Sequence, residues 1–143
     1  MSDIKTIWVT GSKGFIGGEL VRRLHSLGTY RVLGTDAELS VTDAERLQAF
    51  AVELQPDVII NCAGISRGAT GISNRIKAYE TNAIGAMNVA IAANTVGAHI
   101  VQISTDDVYP QRMAEPANEF DTPHPETPYG KSKRAGEVMV RDA

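Results

Sequence analysis

Thr6-Ile-Trp-Val-Thr-Gly-Ser-Lys-Gly-Phe-Ile-Gly17 is the stretch on which the reading of this chain turns. Ile7, Trp8 and Val9 are β-formers in an unbroken apolar run, and an amphipathic helical pattern starts directly after the glycines. The stretch therefore predicts a strand, a tight turn and a helix. Gly11, Gly14 and Gly17 recur at every third position, where absent side chains let the backbone turn sharply, approach a pyrophosphate and seat the helix on the strand. An anion would rest on the helix N-terminus, where free N–H groups and the positive end of the dipole converge. A plain structural turn is the competing reading of such a triplet. A Walker phosphate loop is set aside, because Lys13 precedes its glycine and no Gly-Lys-Ser/Thr follows.

Outward from this stretch, the chain of 143 residues is long enough for one domain with a sizeable core. Hydrophobic residues at 43% and charged residues at 22% are those of a globular chain rather than a disordered one. A net charge of -3 gives no electrostatic case for nucleic acid or an anionic membrane as partner. No apolar run approaches a membrane span, and Met1 to Lys5 lacks the basic start and apolar core of a signal peptide, so the expected compartment is the cytoplasm. The single cysteine, Cys62, has no internal disulfide partner and no Cys or His cluster near it, so no metal site is expected.

Beyond Gly17, Leu20, Leu24 and Leu27 continue the helical spacing to Gly28, placed as a C-terminal stop. Tyr30 to Asp36 reads as a second strand ending in an acid about twenty residues past the last glycine, where a carboxylate binds a cofactor ribose. Asp36 favours the free 2′-hydroxyl of NAD over the 2′-phosphate of NADP. Lys13 pulls the other way, so NAD and NADP both stay open, with a lean to NAD. A turn aspartate is the bland alternative. Thr42-Asp-Ala-Glu45 fits a capping box, opening a helix through Leu47, Phe50, Ala51 and Leu54 that ends before Pro56. Asp57 to Gly64 reads as a third strand, apolar without alternation, as befits a parallel strand covered on both faces. Its end, Asn61-Cys-Ala-Gly64, falls on the carboxyl edge, where small residues leave room for the adenosine half of a dinucleotide. Cys62 reads as packing rather than as a nucleophile. Ile65 to Ser73 reads as a loop, Asn74 to Val96 as one long helix closed by Gly97, and His99 to Ser104 as a fourth strand. A proline-rich connector over Pro110 to Pro128 precedes a last helix from Tyr129 to Arg141, with Ala135, Val138 and Met139 as its apolar stripe. Strands alternating with helices imply right-handed crossovers and a parallel sheet, hence an α/β fold of the doubly wound Rossmann type with helices on both faces.

Tyr129 and Lys133, at i and i+4, lie one above the other on that last helix, so the ammonium can sit near the phenol, an arrangement suited to protonating a carbonyl. Such a pair alone is common and usually an exposed helix pair. Here it follows Thr-Gly-Ser-Lys-Gly-Phe-Ile-Gly, Asn-Cys-Ala-Gly and Ser-Thr-Asp-Asp-Val-Tyr, and itself stands in Pro-Tyr-Gly-Lys-Ser-Lys. That ordered set resembles the extended short-chain dehydrogenases/reductases acting on nucleotide sugars. Val101 to Tyr109 and Gln55 to Asn61 are most similar to the dTDP-4-dehydrorhamnose reductases. The resemblance spans nearly the whole chain and implies an NAD(P)-dependent oxidoreductase of dTDP-rhamnose biosynthesis. It implies Thr105, Tyr129 and Lys133 as catalytic residues: Thr105 holding the substrate carbonyl, Tyr129 donating the proton, Lys133 binding the nicotinamide ribose. It likewise implies a cofactor site of Gly11, Lys13, Gly14, Phe15, Ile16, Gly17, Asp36, Cys62, Ala63, Gly64, Tyr129 and Lys133. Asn82 matches a helix asparagine that shapes the site and relays protons, with a buried structural asparagine as the equal alternative.

The chain departs from that family in places. Ile65-Ser-Arg-Gly-Ala-Thr-Gly71 replaces the usual Tyr-Thr-x-Val-Asp, Ser40 stands where an adenine-contacting aspartate is common, and Pro110 where epimerases carry glycine. Only four strands are countable against six in a complete dinucleotide fold. Residues 1–143 are therefore expected to be an incomplete NAD(P)-binding Rossmann domain without the substrate domain that holds the nucleotide sugar. The expected cover for the open edge of strand four is the rest of a longer enzyme or a second copy, a homo-oligomer. The reductase reading leads. An epimerase or dehydratase of the same group, or a non-catalytic regulatory subunit such as the reductase-like partner of methionine adenosyltransferase, are its alternatives.

Overall fold

The computed structural model describes residues 5–66, 74–111 and 115–143. Strand β1 (Thr6–Thr10) is buried along its whole length, because it is paired on both edges and covered on both faces. Strand β2 (Arg31–Thr35) runs parallel to it on one side, Thr6 opposite Arg31 and Thr10 opposite Thr35. On the other side lies β3 (Val58–Asn61), with Ile7 opposite Val58 and Thr10 opposite Asn61. Strand β4 (His99–Gln102) adds outside β3, giving the order β2-β1-β3-β4. The connections leave β1 in opposite directions, so a crevice opens beyond the carboxyl ends of β1 and β3, where open α/β sheets bind ligands.

Alternate residues of β1 serve the two faces. Ile7 and Val9 pack with Val32 beneath α1 (Phe15–Leu27), which contributes Leu20, Val21 and Leu24. Trp8 and Ile59 point the other way, onto Leu47 and Ala51 of α2 (Ala44–Leu54). After α3 (Arg75–Tyr79), helix α4 (Gly85–Val96) completes that layer with Val89, Ala92 and Ala93. The Trp8 and Phe50 rings stand 4.9 Å apart between centroids, and the indole N–H donates to Thr35 Oγ1 at 2.8 Å. The largest core side chain is thus packed and has its polar atom satisfied.

Three local expectations need correction. The first concerns α2: Asp43, not Thr42, is the N-cap, its carboxylate accepting from Arg46 N at 3.2 Å. Thr42 Oγ1 is instead engaged with Ser40 Oγ at 2.8 Å. The second is the long helix from Asn74 to Val96, which is interrupted by a π-helical turn, Glu80–Ile84, between α3 and α4. The third is the packed face of α5 (Pro128–Asp142), made of Gly130, Ser132, Lys133 and Gly136, whereas Val138 is 43% exposed. Gly136 lies so close to the π turn that a Cβ there would collide with the Asn82 carbonyl oxygen. Helix α5 therefore buries two glycines, a serine and a lysine, while Ala135 and Met139 of the expected apolar stripe are only half-buried. The loop expected over Ile65 to Ser73 lies outside the described residues after Ser66.

Leu47 is fully buried against Trp8 and Ile59, so Leu47→Ala should lower unfolding free energy by about 3 kcal/mol. Val52, on the same helix and 52% exposed, should lose less than about 0.5 kcal/mol on truncation to Ala. Urea denaturation of the two variants checks the pair.

Candidate functional site

Gly11 leaves β1 with φ +66°, and a Cβ on it would stand 2.6 Å from Ala63 N and 2.8 Å from the Cys62 carbonyl carbon. Any side chain there would wedge apart the exits of β1 and β3. Gly14 N–H donates back to the Gly11 carbonyl at 3.1 Å, and Gly14 then serves as N-cap of α1 with no side chain capping the helix. The first-turn N–H groups of α1 therefore remain available to an anion. A cleft of about 480 Å³ lies over this turn. Its walls include Gly11, Lys13, Gly14 and Asp36 on one side and Cys62, Ala63 and Gly64 on the other. Phe15 and Ile16 open α1 exposed at 96% and 54% and do not line the cleft, while Gly17 is buried beneath it against the Gly11 carbonyl.

The acid at the end of β2 is fixed by backbone. Asp36 accepts from Lys13 N and Ala37 N, both at 2.9 Å, through its two carboxylate oxygens. Glu38, two residues on, accepts from Asp36 N at 2.8 Å and pairs with Lys13 Nζ at 3.0 Å. Bonds from backbone N–H groups and from the Lys13 ammonium bring the Glu38 carboxyl down to about 2. The Lys13 ammonium is raised in turn, first by its hydrogen bond to Glu38.

A second cluster adjoins the cleft at Gly64, whose ideal Cβ would lie 3.1 Å from Asn82 Oδ1 and 3.8 Å from Lys133 Nζ. Asn82 is buried in the π turn, with Oδ1 accepting from Ile65 N at 2.7 Å and Nδ2 donating to Ile65 O and Ser132 Oγ, both at 2.9 Å. Ser132 Oγ donates to the Tyr129 carbonyl at 2.7 Å. Lys133, 6% exposed, donates from Nζ to the Ile103 carbonyl at 2.6 Å, and burial pushes its pKa down against the opposing pull of Glu137 and Cys62. Burial also pushes the Cys62 thiol up, partly offset by the Lys133 charge, so thiolate is disfavoured there. Thr105 caps the short 3-10 turn Asp106–Val108 by accepting from Asp107 N at 3.3 Å. Ser104 Oγ donates to Glu137, which also pairs with Arg134 at 2.7 Å. Tyr129 sits half-buried at the start of α5. Lys133 thus adjoins the cleft at Gly64, and none of Thr105, Tyr129 and Lys133 is in the lining.

The RmlD substrate binding domain model matches residues 5–143. The chain belongs to that family. Among relatives, the spore coat polysaccharide biosynthesis protein SpsK of Bacillus subtilis is 35% identical, over 94% of this chain and 48% of its own length. The dTDP-4-dehydrorhamnose reductase of Streptomyces griseus is 34% identical, over 92% and 43%. The solved dTDP-4-dehydrorhamnose reductase of Bacillus anthracis, in complex with NADP, superposes with a TM-score of 0.93 at 36% identity, covering 99% of this chain and 51% of that one. This RmlD-family chain therefore spans about half the length of the relatives it matches. The parallel sheet with helices on both faces is the Rossmann-type fold expected from the sequence.

Ser40, which stands at the family's adenine-contacting position, lines the cleft, and so do Leu39 and Val41 beside it and Lys77 and Thr81 from α3 and the π turn, four residues that the sequence does not mark as ligand contacts. The signal for Ser40 is its place just before Val41-Thr42-Asp43; Lys77 and Thr81 carry none.

Lys133 gives a pH test with a fixed sign. Its folded pKa lies below the ordinary 10.5, so between the two values the unfolded chain holds a proton that the folded chain lacks. Raising pH through that window should stabilise the wild type relative to Lys133→Met, by about 1.4 kcal/mol per pH unit. Parallel stability profiles of the two proteins on the alkaline side would show that Lys133 is not desolvated.

Proposed function

We propose that the chain is the NAD(P)-binding portion of a sugar-nucleotide reductase of the dTDP-4-dehydrorhamnose reductase type. One observation carries the reading: the Tyr129–Lys133 helix meets the glycine-lined crevice at Gly64, where an ideal Cβ would be 3.8 Å from Lys133 Nζ. The crevice fits a dinucleotide on its own terms, since its floor at Gly11 has no room for a Cβ and α1 opens without a side-chain cap. Gly11, Gly14 and the first turn of α1 would hold the pyrophosphate, Asp36 the adenosine ribose, and Cys62 to Gly64 the space beside it. When bound, the cofactor supplies a hydride to the keto carbon of a 4-keto-6-deoxysugar nucleotide.

The chain's own residues would handle the proton. Tyr129 Oη gives a proton to the carbonyl oxygen, Thr105 Oγ1 orients that oxygen, and the Lys133 ammonium holds the nicotinamide ribose and steadies the phenol. Asn82 keeps Ile65 and Ser132 in place around them. The proposed compartment is the cytoplasm, and no described helix is long and apolar enough to cross a membrane.

Calorimetric titration of the chain with NAD(H) and NADP(H), beside an Asp36→Ala variant, tests the cofactor site. Binding that weakens on losing Asp36 is expected; absence of binding by either dinucleotide sinks the reading for this chain. For the chemistry, Tyr129→Phe in the intact protein should cut reduction of dTDP-4-dehydrorhamnose by about a hundredfold or more while reduced cofactor still binds.

A further inference from the structure

We propose that Glu38 is a selectivity residue of the cofactor cleft: by holding Lys13 it keeps the adenosine end net negative and disfavours a phosphate on the ribose 2′-hydroxyl. The inference rests on the dinucleotide reading of the cleft given above. Lys13 and Asp36 both line the cleft, and Glu38, outside the lining, is bonded to both. From sequence, Asp36 and Lys13 make opposing demands, one repelling a 2′-phosphate and the other able to receive it.

The structure supplies a third charge that decides between them. Glu38 Oε2 takes the Lys13 ammonium at 3.0 Å, while Glu38 Oε1 accepts from Asp36 N at 2.8 Å. An exposed ion pair alone would be loose, with side chains 72% and 54% exposed. Here the carboxylate is anchored by a backbone N–H at its other oxygen, and the Glu38 carbonyl is braced by Arg46 Nη2 at 2.9 Å. The Arg46 charge is itself offset by Asp43, 3.9 Å away. Asp36, Glu38 and Lys13 together carry one net negative charge at this corner of the cleft, against a phosphate monoester carrying about −1.5 to −2 near neutral pH. Removing the Glu38 charge would make the corner neutral and release the Lys13 ammonium to the phosphate.

The experiment compares NADH and NADPH dissociation constants for the 143-residue chain, Glu38→Gln, and the double variant Glu38→Gln/Lys13→Ala, with thermal unfolding confirming that each is folded. The wild type should bind NADH more tightly than NADPH. Glu38→Gln should tighten NADPH by about fivefold with NADH nearly unchanged, an increment sized for one charge-assisted contact near the surface. Adding Lys13→Ala should cancel the gain, and raising salt should shrink it. A wild type that prefers NADPH, or an NADPH constant indifferent to Glu38→Gln, overturns the proposal while leaving the cofactor site standing. Failure of all three folded proteins to bind either dinucleotide overturns both.

Discussion

The amide of Asn82 is the joint on which the site depends. It is buried, and each of its polar atoms has a partner, so its geometry is fixed by the cost of leaving any of them unmet. Through Ile65 it grips the chain just past β3 by both N–H and carbonyl, much as a neighbouring strand would. Through Ser132 it grips the helix that carries Tyr129 and Lys133. One side chain thus sets the distance between the crevice edge and the proposed proton-handling residues. Gly64 and Gly136 make that spacing feasible, because a side chain at either would press on Asn82 itself.

The carboxyl ends of the strands are tied in the same manner. Thr10 Oγ1 donates to Asn61 Oδ1 at 2.5 Å, and Asn61 Nδ2 donates to Gln102 Oε1 at 2.7 Å, a side-chain ladder across β1, β3 and β4. Asn61 Oδ1 also receives Ala63 N at 3.2 Å, which shapes the turn against which Gly11 packs. The crevice floor is therefore stiff, as a surface meant to receive a ligand without reorganising should be.

Sequence made the half of the site nearest β1 legible. The glycine triplet and Asn61 to Gly64 stand at the ends of continuous apolar runs, Asp36 closes the shorter Val32-Leu33 strand, and Gly28 and Gly97 end their helices in the left-handed conformation expected of them. What escaped was set by tertiary contact. Thr42 and Asp43 are both good caps, and only the bond between Ser40 and Thr42 decides for Asp43. The π turn left no trace, since Ala83, Gly85 and Ala86 suit either helical register. In α5 the apolar pattern points to Ala135, Val138 and Met139, yet the buried positions are glycines, a serine and a lysine that a hydrophobic pattern does not register. Lys77 and Thr81 reach the cleft from α3 and the π turn, whose placement beside the glycine turn is a tertiary fact that no local pattern carries.

The π turn also puts the two halves of one long rod out of phase. Each residue of a helix advances its facing by about 100°, so one extra residue inside a turn rotates everything after it relative to everything before. Upstream, Lys77 can look into the cleft; downstream, the alanines of α4 keep their seat on the sheet. Loss of a single residue between Glu80 and Ile84 would force a choice between these two alignments, and with it the loss of either the cleft wall or the seat of α4 on the sheet.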